Sequence, residues 1–195
     1  MKGLFSNTNI LSSYFQPPMS ETAINHLSII EANVPGNQTI VRDKQNGLEW
    51  LNLRATMGKS SEQVRQLCKP GGELQGWWYA SLTEAQQLFD QFGFDPDIRV
   101  SSNLTPQIKD CIETMNHYLG ETIHFSGSFP HIHYSGSIVL TGTSDHKNQL
   151  ITLPAFYQQH SDNFTLDLTG NFSIGSQYVP PYLSSLLVRY SPKNH

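Results

Sequence analysis

Charge is scarce in this chain. Only 14% of its 195 residues are Asp, Glu, Lys or Arg, against about 25% in an ordinary soluble domain. The formal net charge is −4, and the 12 Lys and Arg are scattered. No basic stripe exists that could release phosphate counterions, which argues against a nucleic-acid partner. Long apolar runs are missing too. None approaches the ~20 residues a helix needs to cross a bilayer, so no membrane span is expected. Cysteine is limited to Cys68 and Cys111, and neither has a companion Cys or His at zinc-ribbon spacing. A bridge between them would close a loop of about forty residues and contribute ~3–4 kcal/mol in the chain-entropy account. Two separate buried thiols are the other reading. Nucleophile and phosphate motifs are lacking as well. There is no Gly-x-Ser-x-Gly elbow, Ser135-Gly136-Ser137 has no helix behind it, and no glycine pattern cradles a phosphate. No enzyme activity and no cofactor are expected. The start, Met1-Lys2-Gly3-Leu4-Phe5-Ser6, lacks the apolar core and small-residue cleavage site of a secretory signal. The expectation is a protein that stays inside, or a mature or trimmed form.

What replaces charge is Ser, Thr, Asn, Gln, Gly and aromatic residues, a balance that suits a β-rich extracellular surface. At this length folding buries roughly 70% of the unfolded surface, so one domain can build its own core. Residues 1–38 read as an N-terminal arm, punctuated by Pro17-Pro18 and Pro35-Gly36. Within it, Ile24 to Ile30 alternates well enough for one strand. Residues 39–195 read as a single α+β domain.

Thr39 to Asp43 and Leu48 to Leu53 read as two strands of a hairpin, with Asn46-Gly47 supplying a type I′ turn. A helix opens at Ser60 or Ser61 and ends before Pro70-Gly71-Gly72. Ser81-Leu82-Thr83-Glu84 is a capping box, and the helix behind it places Leu82, Ala85, Leu88, Phe89 and Phe92 on one face. A third helix starts at Thr105-Pro106 and ends at Gly120, with Ile108, Ile112, Met115 and Leu119 as its stripe. Beyond Gly120 the period changes to two. Strands are expected over 122–125, 137–141, 150–157, 164–168 and 186–190. Helices first and strands second indicate α+β, with an antiparallel sheet and two to three short helices.

The stretch Gly47-Leu48-Glu49-Trp50-Leu51-Asn52-Leu53, then Gly58-Lys59-Ser60, then Gly76-Trp77-Trp78-Tyr79-Ala80-Ser81 with Glu84 and Leu88-Phe89, resembles a module of PEP-CTERM-type exported bacterial proteins. More distantly it is similar to the C-terminal domain of a collagen-like bacterial adhesin. About a third of the chain is matched. Trp78 stands where that module usually has Arg, Asn52 where it has Asp, and a C-terminal sorting tail is absent from this chain. The resemblance implies a C-type-lectin-like fold, with Ser185 to Tyr190 closing back beside the first strands. It also implies export to the cell surface or extracellular space, and adhesion or assembly. It implies no uniform activity.

Four constellations could carry chemistry. His131 and His133 lie on one face of an expected strand about 7 Å apart, a spacing that can hold a metal. His124, Asp145, His146 and His160 are candidates to complete the set, and a hydrogen-bonded pair is the duller use. Trp77, Trp78 and Tyr79 could stack on sugar rings, or with Trp50 could belong to the core. Asp95, Asp97, Asp162 and Asp167 fit turns better than a calcium loop. Asp43 and Glu49 flank the hairpin and could act as paired carboxylates, but hairpin geometry places them across strands, where a salt link to Arg42 or Lys44 is the duller use.

The leading expectation is an exported structural protein that self-assembles into oligomers or fibres. Leu4, Phe5, Ile10, Leu11, Tyr14 and Phe15 would anchor an arm on a neighbour's sheet edge, unless the arm is a leader or wraps its own domain. A carbohydrate-binding adhesin using surface aromatics and the loops at 143–149 and 158–163 is the alternative. A metal-dependent enzyme built on His131 and His133 is a third reading.

Overall fold

Helix positions follow from local capping. In this computed structural model, which describes residues 24–31, 39–94, 99–100, 105–126, 133–159 and 164–192, helix α2 (Leu82–Gln91) opens at the reciprocal cap seen in the sequence. The Glu84 amide donates to Ser81 Oγ at 3.2 Å, and the Ser81 amide donates to Glu84 Oε2 at 2.7 Å. Helix α1 (Ser61–Cys68) uses the same device with Ser60 and Gln63. Helix α3 (Pro106–Leu119) has Thr105 as its cap and Pro106 in its first turn, where a missing N–H removes nothing. Gly120 ends it at φ +91°.

The opening hairpin joins β2 (Thr39–Asp43) to β3 (Leu48–Leu51), with Asp43 opposite Leu48. Its turn differs from the expected type I′. Of the four loop residues 44–47, only Gly47 has a positive φ, whereas type I′ needs two. The Asp43 carboxylate organises the loop instead. Its Oδ1 accepts from the Gln45 amide at 2.9 Å and from the Asn46 amide at 3.1 Å, so a side chain supplies the partners that an I′ backbone would supply.

Two sheets result. The first has strand order β1-β2-β3-β12-β4, where β1 is Leu27–Glu31, β12 is Leu187–Tyr190 and β4 is Trp78–Tyr79. The second runs β11-β7-β8-β9-β5, with β10 also on β8 and β6 also on β7. Its strands are β5 (Arg99–Val100), β6 (Ile123–Ser126), β7 (His133–Ser144), β8 (Leu150–Gln158), β9 (Phe164–Asp167), β10 (Phe172–Ile174) and β11 (Leu183–Ser185). All pairings are antiparallel except β11 with β7. The chain is α+β, with two sheets where one was expected. β1 falls within the expected arm, yet it pairs with β2 of its own chain over all five residues. Residues 1–23 and 32–38 lie outside the described residues.

Period-two alternation divides each sheet into a core face and a second face. Leu27, Val41, Trp50 and Val188 of the first sheet meet Val139, Ile151, Leu153, Ala155 and Tyr157 of the second. Phe89 of α2 and Ile112 and Met115 of α3 fill the same core, each fully buried. A buried side chain of that size contributes ~1.5–3 kcal/mol. On its opposite face the first sheet packs Ile40, Leu51 and Leu187 against Val64 of α1, Leu74 and Trp77.

The sheets meet at a corner. Leu186 sits between β11 and β12, so the chain passes directly from one sheet to the other. There the Leu186 amide donates to Leu140 O, the Ala80 amide to Leu186 O, and the Gly142 amide to Ala80 O at 2.7 Å. Among the described residues, no helix is long and apolar enough to cross a membrane.

Candidate functional site

The aromatic cluster of the sequence splits across the first sheet. Trp77 is buried, with the Arg189 guanidinium carbon 4.4 Å from its ring centroid. Tyr79 shares that side. Its hydroxyl lies 2.8 Å from Ser185 Oγ and donates to Ser61 O at 3.3 Å. Burial pushes the Tyr79 phenol up to about 12. Trp78 points the other way and packs half-buried against the main core, with its ring 4.9 Å from that of Tyr190. A three-ring sugar platform is therefore not built from Trp77, Trp78 and Tyr79, because adjacent residues of a strand face opposite sides. Trp50 is also core.

The expected metal and thiol sites are placed as follows. His131 and His160 lie outside the described residues, as do the arm residues Leu4, Phe5, Ile10, Leu11, Tyr14 and Phe15. His133 opens β7, half-buried, and its carbonyl accepts from the Gln159 amide. Asp145 Oδ1 accepts from the Lys147 and Gln149 amides while Oδ2 accepts from Ser173 Oγ. That carboxylate closes a turn, and the Ser173 hydroxyl above all holds its pKa below the ordinary carboxylate range. Among the described residues, no group of three or more His, Cys, Asp and Glu is placed to hold a metal. Cys68 and Cys111 are free thiols. One packs beside the α1 core and the other beside the main core. Burial raises both, Cys111 to about 11, so neither is poised as a thiolate nucleophile. Asp95, Asp97 and Asp162 are outside the described residues, and Asp167 accepts from the Thr169 amide and hydroxyl in a turn.

Two polar clusters are buried in the fold. Glu49, fully buried, accepts from Arg42 at 2.6 Å and from Arg189 at 2.7 Å. A second cluster joins Thr56, Ser184 and Ser185. Thr56 Oγ1 is 2.7 Å from Ser184 Oγ, accepts from the Ser185 amide and bonds Ser185 O. Ser184 Oγ donates to Leu53 O. Among the described residues, the partners are hydroxyls and backbone groups.

One surface feature has the shape of a binding site. The outer face of the second sheet carries a groove of about 260 Å³. Its floor follows from cross-strand register. Leu183, Ile138 and Pro154 stand side by side across β11, β7 and β8, and Phe172 stands opposite Thr152. Pro154 is tolerated inside β8 because β10 pairs at 150–152 and β9 at 155–157, leaving a gap where no amide donor is needed. Thr165 of β9 and Phe172 of β10 flank that gap. Tyr178, Pro180 and Tyr182 form the rim. Among the described residues, no Asp, Glu, Lys, Arg or His lines the groove, and its exposed lining is almost wholly apolar.

The rim is rigid for reasons visible in its sequence, Tyr178-Val179-Pro180-Pro181-Tyr182. Two prolines fix φ on the backbone between the rings. The Tyr178 amide donates to Gly175 O at 3.0 Å and the Leu183 amide to Pro180 O at 3.1 Å. Tyr182 is hydrogen-bonded to Tyr178, and burial, followed by Tyr178, pushes its phenol up. Phe172, Tyr178, Val179 and Tyr182 are all more than two-fifths exposed. Sequence reasoning passed over these residues because they have no period. The signal available was two tyrosines bracketing two prolines, a preorganised pair of rings.

No family model matches the chain, and no curated protein or solved structure matches it.

Proposed function

We propose that the chain is a non-enzymatic, exported bacterial surface or extracellular protein that self-assembles through the groove on its second sheet. The observation that carries this reading is the groove itself. It is an exposed, uncharged, aromatic-rimmed concavity held by prolines and backbone hydrogen bonds. An apolar, aromatic-rimmed concavity can seat an anchor side chain of a partner, and a rigid rim reduces the ordering entropy of binding. The export part of the reading is supported by the resemblance to PEP-CTERM-type modules. The placement of β12, which carries Val188-Arg189, beside β3, which carries Trp50, supports the C-type-lectin-like part.

Light scattering and negative-stain microscopy of the purified chain test the proposal. The expected result is a concentration-dependent oligomer or fibre. The double variant Tyr178→Ser/Tyr182→Ser should stay monomeric with its thermal midpoint unchanged. A wild-type chain that remains monomeric at every concentration tested rejects self-assembly. A second reading, a carbohydrate-binding adhesin, draws on the three exposed rings beside the Thr152, Thr165 and Ser173 hydroxyls. Glycan-array binding that is lost in Tyr178→Ala would select it.

A further inference from the structure

We infer that the occupant of this groove is the apolar N-terminal segment, residues 4–15, of a second copy of the chain. This rests on the reading that copies assemble through the groove, and it names what enters.

Charge is the first argument. Residues 3–20 contain no Asp, Glu, Lys, Arg or His, in a chain that is 14% charged overall. The described lining of the groove is equally without charge, so docking there desolvates no ion among these residues. The segment also concentrates large anchors, with Phe5, Tyr14 and Phe15 as aromatics. A volume of about 260 Å³ is below the ~300–1,000 Å³ usual for small-molecule sites. It suits one or two large side chains held in a preformed pocket, the way interface anchors bind.

Strand order is the second argument. The segment leads into β1, the outermost strand of the first sheet, and β4 is the outermost strand at the opposite edge. The second sheet joins at the β4 edge through Ala80 and Gly142. With about 4.8 Å between neighbouring strands, the two edges lie ~19 Å apart. The segment leaves from β1 and the groove lies on the outer face of the second sheet, so donor and acceptor are different surfaces of each copy. The contact is heterologous, and such a contact propagates when its rotation does not close. An extended 23-residue segment reaches ~75 Å, so entry into the same copy's groove is the geometric competitor that the experiment must separate.

The test uses full-length protein carrying Tyr178→p-benzoylphenylalanine, with light and 15N-labelled copies mixed before irradiation. Mass spectrometry should find position 178 joined to residues 4–15 in light–heavy pairs. Crosslinks confined to light–light and heavy–heavy species would assign the segment to its own groove and overturn the inference. Crosslinks to another segment, with assembly retained, would overturn the occupant and leave self-assembly standing. A monomeric chain without crosslinks would remove both. A complementation experiment guards against local misfolding. Phe15→Asp retains the groove and Tyr182→Asp retains the segment. Each alone should lose at least tenfold in association, and their mixture should stop at a one-to-one pair. A mixture as monomeric as its components would overturn the inference, since each pair still holds one intact segment and one intact groove.

Discussion

Arg189 Nε stands 2.8 Å from Glu49 Oε2, although the two residues are 140 positions apart. Register explains the meeting. Arg42 on β2, Glu49 on β3 and Arg189 on β12 lie in one cross-strand row. The buried carboxylate is shared by two guanidinium groups, and the second of these also covers Trp77. Glu49→Ala leaves two cations facing each other over an emptied site. Removing one member of a buried ion pair typically costs ~3–5 kcal/mol. The arginine side chains here are about one-third exposed, which places the expected loss near ~3 kcal/mol. Urea unfolding measures it. A loss below ~1 kcal/mol would mean that the row does not hold β12 in place.

Alkaline pH should weaken the fold through Tyr79. Its phenol is raised by burial from 10.0 to about 12. The unfolded chain therefore releases this proton first. The stabilisation is complete below about pH 10 and disappears as pH climbs towards about 12, with a slope of at most ~1.4 kcal/mol per pH unit. Tyr79→Phe should flatten that slope while losing about 1 kcal/mol at neutral pH, from the bonds to Ser185 and Ser61. Stability measured at stepped pH decides the matter; identical slopes in the two proteins would assign the alkaline loss elsewhere.

The corner between the sheets should tolerate no added methyl. A Cβ at Gly142 would lie 2.8 Å from Tyr79 Cβ and 3.3 Å from Tyr79 O, while the Gly142 amide is tied to Ala80 O. Gly142→Ala is expected to destabilise by ~1–3 kcal/mol through overpacking. The check is the urea midpoint at an unchanged slope. By contrast Gly175→Ala, where a Cβ meets nothing within 4 Å, should be close to neutral.

Ser81 should behave as a cap and little else. Ser81→Ala removes the acceptor of the Glu84 amide and is expected to cost about 1 kcal/mol. Ser81→Thr, which keeps both the acceptor and the hydroxyl that donates to Glu84 Oε2 at 2.7 Å, should recover most of it. Denaturation of the three proteins side by side checks this.

Elements whose signals are local were legible in the sequence. Ser60 opens α1, Ser81 with Glu84 opens α2, Thr105 with Pro106 opens α3 and Gly120 ends it, and all three helices stand where those marks put them. The period-two run at 150–157 likewise matches β8. What was not legible depends on distant partners. Trp78–Tyr79 is a strand because β12 arrives beside it, and Leu183–Ser185 is one because β7 does. Neither is long enough to show a period. The Asn46-Gly47 signal was outweighed by a carboxylate at Asp43, a neighbour that a dipeptide rule does not weigh. The groove was hidden for the same reason as the short strands. Ile138, Pro154, Phe172 and Tyr182 become neighbours only after four strands are laid in order.

The position of β12 has a consequence for how the protein comes into being. It lies between β3 and β4, yet follows every other described strand in the chain. A nascent chain that has grown as far as Ser185 holds the first sheet in two unjoined pieces, with the Glu49 carboxylate still missing one of its two cations. The cooperative unit closes only when Arg189 has left the ribosome. Until then β3 lacks one of its two strand partners, and that open edge is exposed to mispairing.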